Sequence, residues 1–196
     1  MDELRLFTAV CPPPAVADTI AGVQNRIESA VGSRMLRAIR PENYHVTLEF
    51  LGNTPASLIE PVVEAMQAAA TAAPGPLELQ LAEPGAFPTS RRPRTLWVGI
   101  RDIGGGLTAL EADLRARLVR LGIELDAKTF RPHVTIAYVR RQASSADRAR
   151  VAAAVEDAQT EGPHGRSFTV AEILLVRSVT GPGGSVYSHL HAARLG

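Results

Sequence analysis

YHVTLEFLG, residues 44–52, reads as a β-strand that carries an odd polar pair. Side chains two apart on a strand share a face. His45 and Thr47 therefore project together, while Val46, Leu48 and Phe50 are expected on the opposite, core-facing side. One such pair decides nothing, because a lone strand histidine is ordinarily a packing or surface residue. A second copy changes its weight. Residues 131–139, RPHVTIAYV, repeat the pattern as His133, Val134, Thr135 and Ile136, 88 residues further along. Each His-x-Thr-x has apolar residues at both x positions, and each falls in an expected strand.

Working outward from these two strands, hydrophobic periodicity gives an alternation of strands and helices. Residues 4–10 read as a strand ended by Pro12, Pro13 and Pro14. A helix follows over 15–31, a short strand over 34–39, and a turn through Pro41-Glu42-Asn43 leads into the strand at 45–51. Residues 56–73 are helical, with Pro61 allowing a later start, and strands follow at 77–82 and 95–101. Leu107, Leu110, Leu114, Leu118 and Leu121 form one apolar stripe of a helix over 107–121, stopped by Gly122. The strand at 133–139, a helix over 145–159, and strands at 167–176 and 185–193 complete the chain; GPGG, residues 181–184, reads as a turn. Both motif strands sit among comparable helices and strands. The simplest account is two similar lobes in one domain spanning 1–196, with two histidines and two threonines converging on a cleft between them.

The bulk properties allow this. In 196 residues, 45% hydrophobic and 21% charged, there is material for a core without disulfide or metal support. No apolar run is long enough to cross a bilayer, and MDELRLFTAV lacks the pattern of a signal peptide. Cys11 is the only cysteine, so no internal disulfide is expected, which fits a cytoplasmic protein. A net charge of +1 favours no class of partner. Lys128 is the only lysine, and the 20 arginines are first of all a compositional habit of the chain.

Two imidazoles facing one another suit proton transfer. With unperturbed pKa values of about 6.5, one ring can be neutral and the other charged near physiological pH. One can take a proton from a nucleophile while the other gives a proton to a leaving group, and threonine hydroxyls can donate to phosphate oxygens. In-line displacement at phosphorus wants base and acid on opposite sides, and no metal is required. A pH optimum near neutrality is expected.

Here the sequence resembles a known family, the RNA 2′,3′-cyclic phosphodiesterases, also called 2′-5′ RNA ligases, of the 2H phosphoesterase superfamily. The resemblance runs through RLFTAV, HVTLEFLG, PGAFPTSRRPRTLWVGI, FRPHVTIAYV and ILLVRSVTGPGGSVYSHL, nearly the whole chain. It implies an α+β fold of two pseudo-symmetric lobes, each an antiparallel sheet with outer helices, and an active-site cleft between them. It also implies hydrolysis of a terminal RNA 2′,3′-cyclic phosphate to a 2′-phosphate. By motif position, His45 is implied as proton donor to the leaving 3′ oxygen, His133 as proton acceptor from water, and Thr47 and Thr135 as phosphate ligands. No cofactor and no metal are implied; the expected partner is RNA with cyclic-phosphate ends, or a nucleotide, bound by a monomer with no membrane association. Many members carry an arginine three residues after the second motif threonine. Here that position is Tyr138, leaving Arg140, Arg141, Arg5 or Arg131 to supply the charge.

Other signals are weaker. His189 and His191 have a spacing that metals sometimes use, but no Cys, Asp or Glu accompanies them, and a solvated strand face is expected. His164 is expected on a surface loop, Cys11 in a structural role, and Gly104–Gly106 as helix entry. Lys128 lies outside any KxDG setting, so RNA joining would have to reverse the cyclic-phosphate chemistry without ATP. Two alternatives remain: a phosphodiesterase of small cyclic nucleotides, and a non-catalytic RNA- or nucleotide-binding module. For RNA, the loop of Arg91, Arg92 and Arg94 is expected to line the groove.

Overall fold

A computed structural model describes residues 3–160, 162, 165–181 and 184–196. Its elements in chain order are β1 (Glu3–Val10), α1 (Pro14–Val31), β2 (Leu36–Ala38), β3 (Val46–Pro55), α2 (Ile59–Ala72), β4 (Leu77–Phe87), β5 (Thr95–Asp102), α3 (Gly106–Arg120), β6 (His133–Val139), α4 (Ser145–Thr160), β7 (Ser167–Val170), β8 (Glu172–Gly181) and β9 (Gly184–Arg194). Short 3₁₀ turns at Pro41–Asn43 and Ala56–Leu58 lead into β3 and α2. Pro61 thus falls in the first turn of α2, where its missing N–H costs nothing.

The strands form one curled antiparallel sheet in the order β7-β4-β5-β6-β3-β1-β8-β9, with β2 added beside β6. The seam between β6 and β3 divides the path into four strands on each side. The expected α+β architecture of two lobes is present, their sheets joined edge to edge through the two motif strands. Helices α1 and α4 pack together on the β4–β6 side, and α2 packs with α3 and covers β8 and β9. The main core lies between helices and sheet: Ile20, Met66, Leu107, Leu114 and Leu118 on the helices meet Leu6, Leu79, Leu96 and Ile136 on the strands. On the sheet's other face Phe7, Ala9, Leu174 and Val176 make a small second cluster.

Two expectations change. The strand expected at 167–176 is two strands separated at Ala171: β7 pairs with β4 and β8 with β1, in different halves of the sheet. Phe50 is not core but 42% exposed. The cause is a β-bulge: Thr8 lies opposite Glu49 and Ala9 opposite Thr47, so Leu48 is an extra residue in β3. Leu48 and Glu49 are both buried, and Phe50 is returned to the face that carries His45 and Thr47. The expectations for His164 and for the centre of the 181–184 turn lie outside the described residues.

Candidate active site

Val46 pairs with Val134 across the seam. Counting one residue either way along the antiparallel strands sets His45 across from Thr135, and Thr47 across from His133. All four then belong to the face opposite the two buried valines. Thr47, Thr135 and His45 line one cavity of about 260 Å³, together with Arg5, Tyr138 and Tyr187. Thr47 and Phe50 also border an adjoining cavity of about 600 Å³ that holds His133, Phe87 and Phe130.

Both histidines are fixed by the same local device. The Nδ1 of His45 lies 2.7 Å from the carbonyl oxygen of Asn43, and that of His133 lies 2.6 Å from the carbonyl oxygen of Arg131. A carbonyl only accepts, so Nδ1 carries the hydrogen in each ring and donates it two residues back. That leaves each Nε2 as the nitrogen available for chemistry. Packing locks the rings further: His45 against Phe7 and the edge of Tyr187 at 4.8 and 5.3 Å, His133 against Phe87 at 5.1 Å.

Burial holds the pKa of both imidazoles below the ordinary value by disfavouring the charged ring, while the carbonyl partners act the other way. His45 is lowered further by the charges of His133 and His189, so the two motif rings are electrostatic neighbours. The Cys11 thiol is pushed up to about 11 by burial and by Glu172, which leaves it protonated at neutral pH, in keeping with a structural role.

The bulge in β3 has a counterpart in β6. Leu96 lies opposite Ala137 and Trp97 opposite Thr135, so Ile136 is the extra residue there. As a result Tyr138, like Phe50, stands three residues after its motif threonine and joins the threonine's face. Each of these aromatics lies beneath an arginine from a neighbouring strand: Arg5 5.1 Å from the Phe50 ring centre, Arg37 4.7 Å from that of Tyr138. Of the four arginines expected to supply the missing charge, Arg5 shares the cavity of His45, Thr47 and Thr135. Arg140 points elsewhere, its Nε donating to the Leu36 carbonyl at 3.2 Å; Arg131 lines the cavity of His133.

Behind β3 lies a buried carboxyl pair. Glu49 meets Arg115 of α3 at 2.6 Å and hydrogen-bonds Glu111, whose pKa is raised to about 7 by burial and by Glu49, against the opposing pull of Arg115.

His189 and His191 do not form a pair. A register shift sets His191 opposite Leu175 but His189 opposite Val176, and so turns them to different faces. His191 reaches Gln67 of α2 at 3.3 Å, whereas His189 lines a cavity with His45, Cys11 and Tyr187. The solvated-face expectation holds for His189, which is exposed even as it borders this cavity, while His191 is half-buried. Sequence reasoning missed Phe7, Phe50 and Tyr187 as neighbours of the motifs; the Ser178–Tyr187 segment of the resemblance held the one signal that pointed to Tyr187. In the loop before β5, Arg94 lines a cavity with Arg37 and Tyr138, while Arg91 and Arg92 are exposed.

A two-lobed α+β sheet with one His-x-Thr strand from each lobe at its seam is the architecture of a 2H phosphoesterase. The profile of the LigT-like phosphoesterases matches residues 10–97 and again 98–187, and the chain belongs to that family. An RNA 2′,3′-cyclic phosphodiesterase of Archaeoglobus fulgidus is 27% identical over 187 residues, 95% of this chain and 98% of that one. One from Geobacillus stearothermophilus is 39% identical over 99 residues, half of this chain but 31% of its own length. Among solved structures, a Thermus thermophilus protein superposes with a TM-score of 0.80 at 25% identity, covering 98% of both chains. Escherichia coli LigT complexed with 3′-AMP gives 0.75 at 22% identity, again over 98% of both, which shows the shared fold.

Proposed function

We propose that this enzyme hydrolyses the 2′,3′-cyclic phosphate at an RNA end to a 2′-phosphate, with His133 as general base and His45 as general acid. The observation that carries this reading is the matched pair of Nδ1–H to carbonyl bonds, which leave one basic Nε2 on each side of a single seam. His133 Nε2 takes a proton from water as the water oxygen attacks phosphorus. The bond from phosphorus to O3′ breaks, and protonated His45 Nε2 delivers its proton to O3′. Thr47 and Thr135 donate to the nonbridging oxygens, and Arg5, stacked on Phe50 in the same cavity, offsets the charge that builds there. With the 5′-hydroxyl of a second RNA in place of water as the nucleophile, His133 Nε2 takes its proton, the same bond from phosphorus to O3′ breaks with a proton from His45, and a 2′-5′ bond forms without ATP. The chain acts as a cytoplasmic monomer that needs no metal.

The test uses purified protein and a short RNA ending in a 2′,3′-cyclic phosphate, with EDTA present. Conversion to a 2′-phosphate product is expected. A 3′-phosphate product, or activity that vanishes in EDTA and returns with a divalent metal, overturns the mechanism.

A further inference from the structure

Tyr138 is part of the wall of three cavities, two of which bear on the substrate. On one side lie His45 and both threonines. On the other is a larger space of about 770 Å³ lined by Arg37, Arg94, Arg140, Arg141 and Arg148, with no acidic side chain in its lining. These arginines come from four places in the fold: β2, the loop before β5, the end of β6 and α4. Two are anchored by the backbone, Arg148 Nη1 donating to the Pro93 carbonyl at 2.8 Å and Arg140 Nε to that of Leu36 at 3.2 Å. Arg37 is held over the Tyr138 ring. An arginine-rich chain exposes guanidinium groups anyway, and three of those elsewhere pair with carboxylates: Arg40 with Glu42, Arg115 with Glu49 and Arg117 with Asp113. None of the five lining this cavity is in an ion pair among the described residues. Like charges gathered around one space repel, and a planar guanidinium is suited to a phosphodiester.

We propose that this cavity holds the sugar–phosphate backbone of the RNA strand on the 5′ side of the reacting end. The inference rests on the RNA reading above. The terminal phosphate occupies the histidine side of Tyr138, and the preceding phosphates pass the Arg37 stack into the arginine cavity. The other space, around Thr47 and His133, carries Arg115, Lys128 and Arg131 but sets Glu49, Glu111 and Asp126 among them, so it offers no comparable excess of positive charge.

Arg94→Ala with Arg141→Ala removes two guanidinium groups that make no hydrogen bond among the described residues, so the fold should be undisturbed. The double variant and the parent are compared on a ten-nucleotide RNA ending in a 2′,3′-cyclic phosphate and on 2′,3′-cyclic AMP. For the oligonucleotide, KM is expected to rise roughly tenfold, and the slope of log KM against log salt to fall by about 0.7 per lost contact. Turnover of cyclic AMP is expected to be unchanged. Equal effects on both substrates, or none on the oligonucleotide, overturn the proposal. Binding of the same RNA ending in a 3′-phosphate, followed by fluorescence anisotropy, keeps the two readings apart. If the parent hydrolyses neither substrate, the activity is wrong, yet a roughly tenfold loss of affinity in the variant still supports the arginine site and an unchanged affinity rejects it.

Discussion

At the scale of single residues, the histidines' surroundings determine what each can do at a given pH. Burial lowers both pKa values, so both rings are neutral in the free protein at neutral pH. An acid must first acquire a proton, and a bound phosphate anion supplies the opposite charge that favours it. kcat/KM, which reports the free enzyme, is therefore expected to peak below about pH 6.5, and kcat at a higher pH. This moves the expected optimum for the free enzyme away from neutrality. His189→Gln removes a like charge from beside His45 and should shift a limb of the kcat/KM profile upward; an unmoved profile would show that His189 does not act on the pair. Rates should fall by about 10²–10⁴-fold for His45→Ala and for His133→Ala, and the double variant should lose far less than the product. The limbs belong to the coupled pair, so an activated leaving group assigns the roles: it should rescue His45→Ala and leave His133→Ala slow.

At the scale of elements, the two bulges decide which side chains reach the cleft, and that is where the sequence was hardest to read. The motif spacing made both strands and all four polar residues legible, because strict alternation holds from His45 to Leu48 and from His133 to Ile136. One extra residue then reverses the phase, which is why Phe50 read as core. No glycine or proline marks either bulge. The break at Ala171 is equally silent, since two β-rich runs meet there without a turn signal. The β3 bulge has a visible clasp: the buried Thr8 hydroxyl accepts from the Glu49 N–H at 3.1 Å and donates to the Glu49 carbonyl at 3.4 Å. Thr8→Val keeps the shape and strands a buried N–H, at a cost of about 1–3 kcal/mol. Denaturant unfolding should show that loss, and the rate should drop as Phe50 and Arg5 loosen. An unchanged midpoint would mean the clasp holds nothing.

At the scale of the whole molecule, the Glu49–Glu111 pair joins β3 to α3 through a titration. Folding raises the Glu111 pKa from 4.5 to about 7, so the native state holds this proton more tightly than the unfolded chain does. Its stabilising contribution is complete below about pH 4.5 and is lost as the pH rises through about 7. Glu111→Gln keeps a donor for Glu49 without the titration. Thermal melts should therefore find the variant more stable than the parent at pH 8 and little different at pH 4; equal melting temperatures at both would remove the pair from the stability profile.

The order of strands in the sheet has a mechanical consequence. The chain changes halves after β1, after β2, after β3 and again after β7. Between residues 97 and 98, where the repeated profile divides, it is in the middle of β5. The sequence repeat and the spatial lobes are thus different partitions of the molecule, and cutting the gene at the repeat would sever both lobes. Among the described residues Val46 and Val134 are the one pair laddered across the seam, so what keeps the imidazoles in range is the weave of four crossings. Like a lacing, it cannot slacken at one side alone. Loss of activity, of aromatic circular dichroism and of helix signal should coincide in a single denaturation curve.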